Sequence, residues 1–209
     1  MRVSKKHDVR LNEILDAAEC LFAAAGYEKT TVNHVLASVG IGKGTLYYYF
    51  SSKEEIAEGV IDRLLRHIAA TARAAADAPA ADAHAKMQKT MLALNLAESP
   101  HITLLRAMGH PANALLHQKF TVGVIETVAP IFAAVVREGV GEGLYSTAYP
   151  LESMEIVIAA NQIIHNWTVM EFTPEERKPR MAAFLRMIEL TLDAREGSFD
   201  FLATAYVPS

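Results

Sequence analysis

Apolar residues along the chain recur at three- and four-residue steps almost everywhere, and strand-like alternation is scarce. Leu11, Ile14, Leu15, Ala18, Leu21, Phe22 and Ala25 form one stripe and predict an amphipathic helix that Gly26 can close. Thr30 or Thr31 caps a second, short helix with Val32, Val35, Leu36 and Val39 on one side, and Gly40 ends it. Residues 43–50, KGTLYYYF, predict a third and very brief helix. Ser52 and Glu55 have the spacing of a capping box and start a long helix reaching to about Ala78. A linker, DAPAAD, follows.

Further along, helices are expected at Ala83–Ala97, Ile102–Met108 and Ala112–Glu138, with breaks at ESPH and GHP. Pro130 is expected to kink or split the last of these, because it removes a backbone donor and crowds the preceding turn. GVGEGLYSTAYP reads as a loop. Residues 151–172 are apolar on nearly all sides, which predicts burial. Thr173 and Glu176 form a second capping box with Pro174 at its first helical position, although Pro179 offers a later start. Met181, Phe184, Leu185, Ile188 and Leu192 stripe that final helix. The tail from Gly197 shows no period.

The fold class is therefore all-α, and 209 residues suffice for one large domain or two small ones. Half the chain is hydrophobic, yet no uninterrupted apolar run reaches the ~18 residues of a membrane span. The basic N-terminus lacks the apolar core of a signal peptide. A lone cysteine, Cys20, excludes an internal disulfide framework and fits a reducing compartment. A cytoplasmic protein without membrane association is expected.

The net charge of −4 argues against nucleic acid until its distribution is examined. Residues 1–53 hold seven Lys and Arg against five Asp and Glu, whereas the remainder is acidic. A basic contact module on an acidic body fits that split.

On a helical wheel, Leu46, Tyr49 and Phe50 share one side of the third helix. Gly44 and Tyr48 lie nearly opposite, Thr45 and Tyr47 on the flanks, and Lys43 at the start. Such a face is small, hydroxylated, aromatic and positive. Glycine allows close approach, hydroxyls bond phosphates or base edges, and rings pack on thymine methyls. Two short helices joined by a glycine turn, with the second exposing this face, describe a helix-turn-helix. The competing reading makes Tyr47, Tyr48 and Tyr49 core aromatics of a bundle, although so short a helix cannot bury all three.

The stretch TTVNHVLASVGIGKGTLYYYFSSKEEI, residues 30–56, resembles the signature of the TetR family of transcriptional regulators. The resemblance covers roughly residues 9–56. It implies an N-terminal three-helix DNA-binding domain, residues 1–53, followed by a larger helical effector-binding and dimerisation domain, residues 54–209. By position it implies groove contacts from Lys43, Gly44, Thr45, Tyr47 and Tyr48, phosphate contacts from Thr31 and Lys53, and a base contact from Asn33. Gly42 departs from the family's commoner serine cap, and Tyr49 from its frequent histidine.

What the resemblance implies for the body is a homodimer joined through the last two helices and an apolar pocket for a small effector. Pocket candidates are Met87, Met91, Leu94, Leu104, Met108, Phe120, Val124 and Trp167. Asn161, His165 and Thr168 form a polar line on an otherwise apolar helix, facing either ligand or dimer mate. The partners expected are a double-stranded, palindromic DNA operator and that effector, and the family reading is a repressor released by ligand. An adaptor or small-molecule binder of the same fold without operator recognition is the rival.

Catalysis is not expected. Cys20 has no histidine near it in sequence, and no HExxH occurs. The sole Glu-x-x-His, Glu98 with His101, contains Pro100 and lacks a second copy. Neither a metal nor a cofactor is expected.

Overall fold

A computed structural model of the chain describes residues 2–94, 101–108, 110–164 and 172–205. Every regular element among them is helical: α1 Arg2–Ala25, α2 Val32–Val39, α3 Lys43–Tyr49, α4 Lys53–Asp77, α5 Ala83–Ala93, α6 Ile102–Ala107, a 3-10 helix at Pro111–Asn113, α7 Ala114–Gly141, α8 Pro150–Ile164, α9 Pro174–Leu192 and α10 Phe201–Ala205. The chain divides into two compact units. One comprises residues 1–64 and 100–120, the other residues 65–99 and 121–209.

In the first unit, α1 begins nine residues before the apolar stripe and ends as expected at Gly26, whose φ is +87°. Ile14, Ala18 and Phe22 are wholly buried, so the stripe does face the core. A side chain at Gly26 would also collide with Ala112 Cβ, 2.6 Å from where its own Cβ would stand. Of the two threonines, Thr31 is the cap. Its Oγ1 accepts from the His34 amide while the His34 ring accepts from the Thr31 amide. Thr30 is buried instead and donates its hydroxyl to the Gly26 carbonyl at 2.8 Å.

The Ser52–Glu55 box is only half formed. Ser52 Oγ accepts from the Glu55 amide, but the Glu55 carboxylate turns to Ser51, taking its amide at 2.5 Å and its hydroxyl at 2.6 Å. Those two bonds hold the Glu55 carboxyl below its ordinary value. Adjacent serines make the two sites indistinguishable from spacing alone.

α6 packs on α1, and Asn113 ties both to the turn beyond α1. The buried Asn113 accepts from the Tyr27 amide at 2.7 Å and donates to the carbonyls of Phe22 and Ala107 at 3.3 and 2.9 Å. A second side-chain network centres on Glu19. Glu19 lies 2.6 Å from His101 Nδ1 and 2.8 Å from Arg63, which also holds Asp16 at 2.6 Å.

Pro130 does not split α7, which is one helix over Ala114–Gly141. Proline forfeits a single hydrogen bond, and the burial of Val128, Ala129, Phe132 and Ala133 on both sides holds the helix together. By length and composition α7 could cross a bilayer, with a mean hydropathy of 1.7. Half of the apolar window is buried inside the fold, as in a core helix.

In the second unit, α8 is not buried on all sides. Met154 and Val157 face inward, while Ile156 is 60% exposed and Ala159 to Asn161 are half-buried. Among the described residues, this apolar helix keeps part of its surface exposed. α9 starts at the Thr173–Glu176 box rather than at Pro179, since both halves of the box are made. Arg180 donates to the Glu176 carbonyl inside that first stretch. The tail without a period docks through Phe199 and Leu202, both buried, and includes α10.

Candidate nucleic-acid interface

The candidate surface is built on three local devices. Thr31 fixes the start of α2, Gly40 at φ +72° turns the chain, and Gly42 starts α3 without a side-chain cap. The αL conformation at Gly40 is open to glycine at little cost and strained for most other residues. Leu46 is wholly buried and Phe50 nearly so, and these two anchor α3 from behind. Because the helix has only seven residues, its other side must stay out.

Lys43, Gly44, Thr45, Tyr47 and Tyr48 are all exposed, Tyr47 by 51% and Tyr48 by 73%. That disposes of the core reading for these two rings. A Cβ at Gly44 would meet nothing within 4 Å, so no neighbour within the chain demands a glycine there. An incoming surface would benefit from its absence. Tyr49 is half-buried, with its ring beside those of Tyr48 and His7.

Asn33 and Thr31 are exposed on the edge of the same motif. Thr31 Oγ1 acts as acceptor toward the His34 amide, which leaves its own proton to donate elsewhere. Lys53 is half-buried. Its ammonium donates to the Tyr27 carbonyl at 3.1 Å and sits 4.1 Å above the centre of the Tyr27 ring. That bond uses one of its three protons. Burial, with Glu54 adding to it, raises the Tyr27 hydroxyl above its ordinary value, so the ring under Lys53 is neutral.

The effector candidates fall in both units. Leu104, Met108 and Phe120 are buried in the first unit, Met87 and Val124 in the second. Met91, Leu94 and Asn161 are half-buried in the second unit. His165, Trp167 and Thr168 lie outside the described residues. A cleft of ≈ 420 Å³ in the second unit contains none of them and is lined by Asp82, His84, Tyr145 and Ser198 among others. There His84 bridges the Tyr145 hydroxyl at 2.9 Å and the Ser198 carbonyl at 3.0 Å.

Sequence reasoning missed Asn113, the Glu19–His101 pair and the approach of His7 to the tyrosines. His101 entered it only as half of an incomplete metal motif.

Comparisons with known proteins agree with this geometry. Residues 14–60 match the family model described as bacterial regulatory proteins, tetR family, and residues 99–187 match the tetracyclin repressor-like C-terminal domain. The uncharacterized HTH-type transcriptional regulator YfiR of Bacillus subtilis is 42% identical over 62 residues, covering 29% of this chain and 30% of that protein. The HTH-type transcriptional repressor KstR2 of Mycobacterium tuberculosis is 40% identical over 65 residues, 31% of this chain and 30% of the relative. The matched stretch thus spans only about a third of either relative's length. In fold, the chain is similar to SmeT, the repressor of the Stenotrophomonas maltophilia multidrug efflux pump SmeDEF. The TM-score is 0.62 at 17% identity, covering 90% of this chain and 92% of that one. With a helix-turn-helix match at one end and a C-terminal-domain match through most of the remainder, the chain belongs to the TetR family of bacterial regulatory proteins.

Proposed function

We propose that the protein is a sequence-specific DNA-binding repressor that works as a homodimer and leaves its operator when a small apolar or amphipathic effector binds. The observation that carries this reading is the outward face of α3, where Lys43, Gly44, Thr45, Tyr47 and Tyr48 stand exposed on a buried Leu46 anchor. Lys43 and the hydroxyls supply groove and phosphate contacts, and the tyrosine rings supply apolar contact to thymine methyls. Thr31 and Lys53 grip the flanking phosphates.

One module buries little surface, so operator affinity needs a second copy. The apolar residues left uncovered on α8 and α9, Ile156 and the 65% exposed Leu190, support pairing through these helices. A two-fold dimer meets half-sites 34–36 Å apart. An effector can shift such a dimer only by binding one spacing better than the other. Repression follows from occupancy of the promoter.

The test is fluorescence anisotropy with duplexes flanking the protein's own gene. Tyr47→Ala should relax sequence preference by about 1–3 kcal/mol. Lys53→Ala should weaken all sequences alike and lower the salt slope by about 0.9. Both variants binding like wild type would overturn the assignment of these residues.

A further inference from the structure

The N-terminal end of α1 reaches the face of α3 through the side chain of His7. The His7 ring centroid lies 4.7 Å from that of Tyr49, tilted by 45°, and 5.9 Å from that of Tyr48, edge-on at 77°. Tyr48 and Tyr49 meet edge-on at 5.0 Å and 90°. Three rings from two helices therefore form one closed cluster. His7 stands one turn before Leu11 and two before Ile14 on the stripe of α1. It continues that stripe past the core and onto the tyrosines.

We infer that His7 is a positioning residue for sequence readout, fixing the rotamer in which Tyr48 is presented to base edges. The inference rests on the reading that α3 contacts DNA. A helical tyrosine as exposed as Tyr48 has two accessible χ1 wells, and its own helix does little to choose between them. Tyr49 moves with α3 and supplies one wall. His7 comes from a different helix and supplies the second, so only one well satisfies both. An aromatic contact of this kind favours its well by about two- to tenfold. Ordering the ring before DNA arrives raises affinity for the matched sequence by a similar factor. It also sharpens discrimination, because at a mismatched base pair the ring cannot simply swing away. Affinity for random duplex, which comes from phosphate contacts, does not depend on that rotamer.

The experiment compares His7→Ala, His7→Phe, Tyr48→Ala and the His7→Ala/Tyr48→Ala double variant in the full chain. Anisotropy is read with the selected operator, a panel changing each base pair in turn, and random duplex, with thermal unfolding alongside. His7→Ala should lose about two- to tenfold in operator affinity. The loss should fall at the base pairs that Tyr48→Ala affects, with random-duplex binding and the melting temperature nearly unchanged. His7→Phe should restore discrimination, and His7→Ala should add nothing in the Tyr48→Ala background. Equal losses on operator and random duplex, independent multiplication of the two effects, or an unaltered panel would overturn the inference alone. A wild-type chain that shows no sequence preference would overturn the reading of α3, and this inference with it.

Discussion

Asn113 is the sharpest structural test in the first unit, because two of its three hydrogen-bond partners have another partner and the third does not. It accepts from the Tyr27 amide at 2.7 Å and donates to the Phe22 and Ala107 carbonyls. When Asn113→Ala removes the amide, Phe22 O still accepts from the Gly26 amide at 3.0 Å and Ala107 O from the His110 amide at 3.0 Å. Among the described residues the Tyr27 N–H has no such second acceptor, and it is left orphaned in the interior. An orphaned buried donor costs about 1–3 kcal/mol, and the two lost donor bonds add about 0.5–1.5 kcal/mol each before the relief of desolvating the amide. A net loss of about 3 kcal/mol corresponds to a fall of about 6–12 °C in melting temperature for a chain of this size. Differential scanning calorimetry measures the fall, and hydrogen exchange at the Tyr27 amide locates it. Asn113→Asp keeps the acceptor but sets a carboxylate oxygen against two carbonyls, so it should be worse than alanine at pH 7 and recover toward acid, where the carboxyl protonates. A melting temperature within about 1 °C of wild type, with Tyr27 exchange unchanged, would refute the reasoning.

Three further outcomes are expected. Gly139→Ala places a Cβ 2.3 Å from Tyr145 Cδ2, and that ring is buried and tied to His84, so chemical denaturation should show a loss beyond the usual 1–3 kcal/mol (approximate) of overpacking. Burial holds His117 below its ordinary value of 6.5. The unfolded chain therefore takes up a proton there that the folded chain resists, stability is intact above about pH 6.5 and declines as pH falls below it, and His117→Gln should flatten that acid slope in urea titrations. A fragment ending at residue 64 lacks Leu104, Met108, Leu116 and Asn113, all buried members of the unit, and its circular dichroism should show loss of cooperative melting.

The sequence was most informative where structure is written locally. The stripe of α1, the Thr173–Glu176 box, the turn at Gly40 and the two-sided character of α3 are each determined within a few residues, and period and cap chemistry reveal them. Contacts between distant segments leave no such trace. Asn113 meets Tyr27 across 86 residues and His101 meets Glu19 across 82, and no spacing rule links them. Apolar period also says which side of a helix is hidden without saying by what. That is why Leu104 and Met87, alike in pattern, fall in different units, and why the apolar circumference of α8 suggested full burial where a single chain leaves Ile156 uncovered.

The unit carrying α3 is assembled from two stretches of chain, and the second of these lies within the C-terminal-domain match that begins at residue 99. Residues 101–120 are thus assigned by family pattern to the body and by packing to the DNA-binding end. They are held there by polar contacts of high geometric demand: the buried Asn113 amide, the Glu28 amide on the Ala112 carbonyl at 3.0 Å, and Glu19 on His101. Such contacts weaken steeply with misalignment, unlike apolar packing, which tolerates sliding. A shift of α6 or of the first turns of α7 therefore cannot be absorbed locally. It must either break these bonds or carry the end of α1 with it, and the end of α1 sets Tyr27, over which Lys53 is placed. Under the proposed reading, an effector that displaced residues 101–120 would have this physical route to the edge of the DNA surface where Lys53 stands.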